Sequence, residues 1–503
     1  MAGEPLPEFA PLTENTQADV VIVGGGIAGL TTAYHLLRSG KSVVVLESNS
    51  LASGETGRTT AHLSCALDDR FTELERLHGS RGARVAAESH AAAITAIEQI
   101  AQLEQIDCDF ERLDGYLFGN TLTERPQLEA ELQAAHRAGL SDVELVTRAP
   151  LPHYTTGWAL RFPRQAQFHP VKYLRGLARV ITRDGGRIFT QTHVDAVQSG
   201  KPARVKTANG FHVTAAAVVV ATNSPVNDRV VVHIKQAPYR TYVIGASVAR
   251  GSVPPALYWD TADPYHYVRL QAGDPDAGED TLIVGGEDHK TGQAEDYAER
   301  YARLEQWARE RFAIKQVTFR WSGQVMEPVD GLGFIGRNPA DTGNIYIVTG
   351  DSGHGMTHGT IAGILLTDLI MDRSTAWSSL YDPGRVTPGA VPEFAREGLN
   401  LAAQYTDWLT PGTVREEREV PVDSGAIMRR GLTKVALYRD AAGHLHECSA
   451  VCPHLGGIVH WNGNEKMWEC PVHGSRFDRF GKVVNGPAIS DLAPTRAPPV
   501  ARR

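Results

Sequence analysis

Asp19-Val-Val-Ile-Val-Gly-Gly-Gly-Ile-Ala-Gly29 decides the first half of the fold. An apolar run turns on glycines and continues as an amphipathic helix, and a second apolar run, Val43–Leu46, follows. This is a strand–helix–strand unit, the opening of a doubly wound α/β domain. Gly24, Gly26 and Gly29 carry the G-x-G-x-x-G spacing. Gly24 permits the tight turn, Gly26 lets backbone approach a pyrophosphate, and Gly29 lets the helix pack on the strand. The free N–H groups at the helix start then face the phosphates. Glu47 ends the second strand, where an acid holds a ribose hydroxyl. The acid favours an unphosphorylated ribose, which suits FAD and NAD alike.

At 503 residues the chain is long enough for more than one core. Its 50 basic and 58 acidic residues leave a net charge of -8, which argues against a nucleic-acid or anionic-membrane surface. No run is long and uncharged enough to span a bilayer. The Pro-rich, acidic N-terminus lacks the basic start and apolar run of a secretory signal, so a cytoplasmic location is expected.

Residues 1–16 read as a tail. Helical spacing over 75–140 predicts long helices. Short strands mixed with a charged helix over about 238–320 predict a separate α+β sheet inserted into the α/β domain. Prolines over 374–395 mark a boundary, and 377–411 is expected to be a linker carrying a helix near 393–409. From 412 to 503 short strands and turns predict a small all-β domain.

That last domain holds three of the five cysteines. Cys452-Pro-His454 is followed by Cys470-Pro-Val-His473. Two thiolates and two imidazoles in this order suit a mixed-ligand metal centre. A structural zinc could use the same donors. Cys448 is expected in a core, and Cys65 and Cys108 carry no ligand spacing.

Beyond these readings, Ala52-Ser-Gly54, Gly57-Arg-Thr-Thr-Ala61, Val218-Val-Val-Ala-Thr222, Asp330-Gly331 with Gly336, and Thr349-Gly-Asp-Ser-Gly-His-Gly-Met356 occur in an order that resembles the D-amino-acid-oxidase-like flavoproteins over about residues 18–376. The resemblance selects FAD. It implies pyrophosphate contacts at Gly24, Gly26, Ile27, Ala28 and Gly29, and ribose contacts at Glu47 and Ser48. A second loop contributes Gly54, Arg58, Thr59 and Thr60, and Val194 stands on the adenine side. Ala221 and Thr222 close near the dinucleotide. Gly350, Gly353, His354, Gly355, Met356 and Thr357 lie over the flavin ring, and a helix from Thr360 aims its N-terminus at the ring's pyrimidine side. Gly333 replaces a proline of the family pattern, and His62 is a remote candidate for covalent flavin attachment.

His454-Leu-Gly-Gly457 and Cys470-Pro-Val-His-Gly-Ser-Arg-Phe-Asp478 resemble the two cluster loops of Rieske proteins. The resemblance implies a [2Fe–2S] cluster on Cys452, His454, Cys470 and His473. Gly457 and Val472 stand where respiratory-type members carry a disulfide, and Phe477 stands where a tyrosine often bonds a ligand sulfur, while Ser475 is kept. A potential in the lower half of the Rieske range is expected.

In amino-acid oxidases of the flavin family an arginine clamps the substrate carboxylate, and by count Val325 holds its place. Valine cannot form a bidentate clamp. Tyr265, Tyr267 and Arg269 share one face of a strand, with His266 on the other. Tyr267 and Arg269, with His354, are the candidate catalytic residues. The expected function is an FAD-dependent oxidoreductase that oxidises a small molecule, an amine or imine among the candidates, by hydride transfer to flavin. Electrons would pass singly through the cluster to or from an external carrier or reductase. An O2-using oxidase with a peripheral cluster and a redox-sensing or electron-carrier protein are the alternatives. Peroxide stoichiometry in a cluster-less variant separates the first. For the second, it is the absence of any substrate that bleaches the flavin.

Overall fold

A computed structural model of the chain describes residues 6–227, 232–339, 341 and 343–495. Strand Thr16–Val23 lies inside an open sheet, between His212–Val220 and Val43–Leu46 and parallel to both. Ile345–Thr349 and Arg187–Phe189 extend the two sides in parallel, and Phe334–Arg337 closes one edge antiparallel. Residues 20–23 and Val43–Leu46 are buried throughout, as strands covered on both faces must be. The first strand pairs with the second on one side and with a late strand on the other, so the chain reverses its winding there. A crevice for ligand opens at the carboxyl ends of strands at such a point.

Helix Ile27–Arg38 packs against helix Gly355–Ile370. The latter begins five residues before the expected Thr360, because the glycine-rich loop turns into helix at once after His354. A Cβ at Gly359 would lie 3.1 Å from the Ala28 nitrogen, so glycine sets the helix spacing there.

A second sheet of nine strands covers the crevice. Its long strands Gln236–Ala249, Glu279–Lys290 and Ile314–Pro328 arise from the expected inserted segment. It also recruits His62–Leu63, Glu111–Phe118, Glu144–Val146 and Ala159–Gln167 from earlier in the chain. The helical stretch Arg70–Leu103, broken at Gly79, and helix Arg125–Arg137 fill most of 75–140, but Glu111–Phe118 between them is a strand whose burial alternates over Arg112–Leu117. Helix Tyr297–Arg311 packs on the sheet's outer face through Tyr297, Tyr301, Leu304 and Trp307.

The C-terminal domain pairs a three-stranded sheet (Ser424–Arg430, Thr433–Arg439, Leu445–Ser449) with a four-stranded one (His460–Asn462, Met467–Glu469, Arg476–Asp478, Val483–Asn485). Trp468, Phe477 and Ile458 pack with Cys448, Cys452 and Cys470 in its core. The segment read as a linker folds onto this domain. After helix Val391–Gln404, the Tyr405 hydroxyl donates to Leu455 O at 2.9 Å and Trp408 Nε1 to Gly456 O at 3.0 Å. Among the described residues no helix is long and apolar enough to cross a membrane.

Candidate functional site

The crevice is a cavity of about 500 Å³ running from the Gly24–Gly26 turn to the inner face of the nine-stranded sheet. Gly24 sits at φ +115, and a Cβ there would collide with Ala221 O. A Cβ at Gly29 would collide with Gly24 O, so Gly29 serves helix–strand packing and does not line the cavity. At Gly26 a Cβ would meet only Thr56 Oγ1, at 3.0 Å, and would otherwise enter the cavity. That is the cradle a pyrophosphate needs, and the residues fit FAD in this respect. Glu47 is fixed by accepting the Gly25 N–H at 2.7 Å and the Asn49 N–H at 2.9 Å. Ile27, Ala28, Ser48, Gly54, Arg58, Thr59, Thr60, Val194, Ala221 and Thr222 also line the cavity. Thr56, absent from the sequence reading, lines it too and accepts the Ile27 N–H at 3.2 Å.

At the other end the lining takes in Gly353, His354, Gly355 and Met356. Gly350 and Thr357 stand outside it: Gly350 packs against Pro328, and the Thr357 hydroxyl is 2.8 Å from His90 Nδ1. His354 Nε2 accepts the Asp68 N–H at 3.1 Å and lies 3.3 Å from Asp68 Oδ1. Burial opposes charge on this imidazole, but Asp68, then Asp69 and Asp351, outweigh it and raise its pKa. The Ser352 hydroxyl, with one proton to donate, lies 3.1 Å from Asp69 Oδ2 and 2.8 Å from Glu327 Oε2. Burial and then its negative neighbour Asp68 push Asp69 up to about 6, and burial with Asp69 raises Glu327 well above the usual carboxyl range. His358 lines the cavity as well, and its Nε2 fills the space beside Gly333 so closely that no Cβ fits there. This explains why proline is missing from that position.

The substrate-side expectations divide. Tyr265 and Tyr267 line the cavity, with ring centroids 5.6 Å apart. Arg269 does not. The 58–62 loop lies over it, and its Nε donates to Thr60 O while Nη1 donates to Gln271 Oε1 at 3.0 Å. It holds the loop and is out of reach of a ligand. His266 pairs with Asp260 at 3.1 Å behind the sheet. Val325 lines the cavity where a clamp would stand. His62 also lines it, with burial pushing its pKa down to about 3. Asp68 and Asp288, both in the lining, escaped the sequence reading.

In the cluster domain the Cys452 and Cys470 thiols are in hydrogen-bonding contact, and the His454 and His473 rings lie 5.0 Å apart. The N–H groups of His454 and Leu455 point at the Cys452 sulfur and those of Val472 and His473 at Cys470. The Ser475 hydroxyl also reaches Cys452. A sulfur pair beside an imidazole pair suits two irons, whereas one tetrahedral zinc needs its donors around a single point. Gly457 and Val472 face each other, with no thiol at either.

These loops press on the flavin module. Gln293 Nε2 donates to Pro471 O at 3.1 Å, and Gln324 Nε2 to Gly474 O at 3.1 Å. The His233 ring, from the flavin module, is 4.9 Å from that of His454 and 5.6 Å from that of His473. Asn485, Gly486 and Ala488 of the cluster domain complete the cavity wall, and Asn485 Nδ2 donates to Glu55 Oε1 at 2.9 Å.

Residues 19–369 match the family model for FAD dependent oxidoreductases, and 410–496 match that for the Rieske [2Fe-2S] domain. YhfW of Bacillus subtilis (strain 168), provisionally named a Rieske 2Fe-2S iron-sulfur protein, is 32% identical over 495 residues, 97% of this chain and 95% of the relative. Gamma-glutamylputrescine oxidoreductase of Escherichia coli (strain K12) is 29% identical over 377 residues, 72% of this chain and 85% of the relative. Glycine oxidase from Geobacillus kaustophilus has the same fold over 74% of this chain and 99% of its own, with TM-score 0.62 and 19% identity. The chain therefore belongs to the FAD dependent oxidoreductase family and carries, in one polypeptide, a C-terminal Rieske [2Fe-2S] domain.

Proposed function

We propose that this oxidoreductase oxidises a small amine and relays the electrons within its own chain to the Rieske centre, from which an external one-electron carrier removes them. FAD supplies two-electron hydride acceptance, and the cluster, held by Cys452, His454, Cys470 and His473, supplies one-electron transfer. The observation that carries the relay is the seating of the cluster loops on the flavin module, with His454 and His473 turned to His233.

An amine is favoured over an amino acid because Val325 replaces the clamp, and because the far end of the cavity is lined by Asp68 and Asp288. The similarity to a protein named for gamma-glutamylputrescine points to the same class. We assign His354, whose Nε2 is taken up by Asp68 beside the ring loop, to orienting the substrate nitrogen. Tyr265 and Tyr267 wall the substrate. Five unbridged cysteines suit the cytoplasm, where we place the protein.

The test mixes two variants anaerobically with an oxidisable amine: Gly26→Ala, aimed at the flavin, and Cys452→Ser, aimed at the cluster. A relay within one chain leaves the cluster of the first unreduced by the second, while wild-type protein develops a Rieske EPR signal at a rate independent of protein concentration. Reduction across the mixture would assign the relay to neighbouring chains. A bleached flavin with an EPR-silent cluster in the wild type would overturn the relay and leave an O2-using oxidase, read out as stoichiometric peroxide once air is admitted.

A further inference from the structure

Strands Gln236–Ala249 and Glu279–Lys290 pair in regular register except at one place. Arg240 pairs with His289 and Tyr242 with Gly286, so Thr241 alone stands opposite Glu287 and Asp288. The extra residue is a β-bulge, a device that re-aims side chains and gathers near active sites. Here it is strained, since Glu287 takes φ +60, a left-handed conformation that L residues avoid. Glu287 turns outward to Arg303, at 2.7 Å, and Asp288 lines the cavity.

Around Asp288 the wall is selective. Tyr267 lies across Gly285, and its hydroxyl is 2.8 Å from Thr241 Oγ1. Tyr265, Tyr267 and Trp259 supply aromatic faces. Asp68 is already engaged by the Tyr265 hydroxyl at 3.0 Å and by His354. The Asp288 carboxyl, by contrast, is half-buried with the Thr241 side chain as its hydrogen-bond partner, while its Oδ1, turned away from solvent, has none. Among the described lining residues the sole Lys or Arg is Arg58, whose Nη1 is bound to Ser322 O at 3.2 Å. A carboxylate so sparsely paired in a cavity wall is costly unless something cationic completes it, and aromatic faces favour the same charge.

We infer that Asp288 is the anchor for a cationic ammonium group of the substrate, with Tyr265, Tyr267 and Trp259 as the surrounding wall. This rests on the amine reading and narrows it: the substrate carries a charged nitrogen that Asp288 binds, so the pocket selects cations and rejects carboxylates. Burial lifts the free Asp288 carboxyl to about 7, and a bound ammonium draws it back to the ionised form. Asp288 fixes orientation and specificity.

The experiment uses the full chain loaded with FAD and the matched probes n-butylamine and butyrate. Binding is read as a saturable change in the flavin spectrum and, separately, as a rise in melting temperature. The expected result is binding of butylamine and none of butyrate, with Asp288→Asn weakening butylamine by at least about tenfold. Because Asn removes an incompletely paired carboxylate, the variant should melt no lower than wild type, and Asp288→Glu should restore part of the affinity. Equal butylamine affinity in wild type and Asp288→Asn would overturn the anchor while leaving the amine reading intact. Binding of butyrate in preference, or of neither probe, would overturn both.

Discussion

Arg240 of the flavin module and Glu469 of the cluster domain form an ion pair in which neither side chain has any solvent exposure. Arg476, in the second cluster loop, is equally buried and pairs with Glu465, with Glu469 at 3.6 Å and with Glu55 of the flavin module at 3.8 Å. Arg240 also donates to Ser322 Oγ at 2.9 Å. Among the described residues two cations, Arg240 and Arg476, thus meet three carboxylates, Glu55, Glu465 and Glu469, at the junction. Such a group adds little over an apolar filling, but breaking it from one side is severe, because a charge is stranded.

Arg240→Met should therefore cost about 3–5 kcal/mol at this junction, and Arg240→Met with Glu469→Met much less. Melting temperature reports the cost. Amide exchange over 470–478 reports the place, rising in the single variant and returning toward wild type in the double. If the single variant melts as wild type does, the charges carry no part of the docking.

What was legible in the sequence is what is local. Gly24, Gly26 and Gly29 act within one turn, and Cys452, His454, Cys470 and His473 lie on two short loops, so spacing brings both candidate sites into view, while FAD and the iron–sulfur cluster follow from family resemblance. The substrate side is assembled from strands between residues 62 and 328, and spacing says nothing about which of them meet. Alternation put Tyr265, Tyr267 and Arg269 on one face correctly, yet only the fold shows that the 58–62 loop covers Arg269. Asp288 was invisible because its aim depends on a bulge at Glu287, which no residue preference signals. The Arg240–Glu469 contact spans two modules, and charge counts cannot find it.

Glu327 and Asp69 share one donor, the Ser352 hydroxyl. The Glu327 pKa is raised by burial and by Asp69. A carboxyl raised in the folded state contributes stability that is complete below its unfolded value, near 4.5, and is lost as pH rises through the folded value. Glu327→Gln removes that loss and can still accept from Ser352. The variant should melt close to wild type at pH 4.5 and increasingly above it toward pH 8, by at least about 2 °C. A constant difference across this range would show that burial and Asp69 do not raise the Glu327 carboxyl in the folded protein.

Ser475 Oγ reaches the Cys452 sulfur and accepts the Ala488 N–H at 3.0 Å. A hydroxyl donor to a ligand sulfur favours the more negative, reduced cluster, so its removal lowers the potential. Ser475→Ala should shift the midpoint down by roughly 50–100 mV, as one hydrogen bond to a charged group allows. EPR-monitored redox titration measures this, with iron content and the rhombic signal unchanged. An unmoved midpoint would place the hydroxyl in loop packing alone.

Gly24 and Gly26 sit two residues apart but fail differently. Gly24 holds φ +115, and its Cβ would strike Ala221 O within the chain itself. Gly24→Ala should therefore damage the fold, lowering the melting temperature of protein stripped of FAD. Gly26 has an ordinary φ, and its Cβ would meet only Thr56 Oγ1, at 3.0 Å, while projecting into the space the pyrophosphate needs. Gly26→Ala should leave stripped protein melting within about 2 °C of wild type, a cost of order 1 kcal/mol or less, but purify with little FAD. Flavin absorbance per chain and melting of the stripped protein separate the two cases. Full FAD occupancy in Gly26→Ala would mean that the pyrophosphate does not lie against this turn, and would return the position to helix packing.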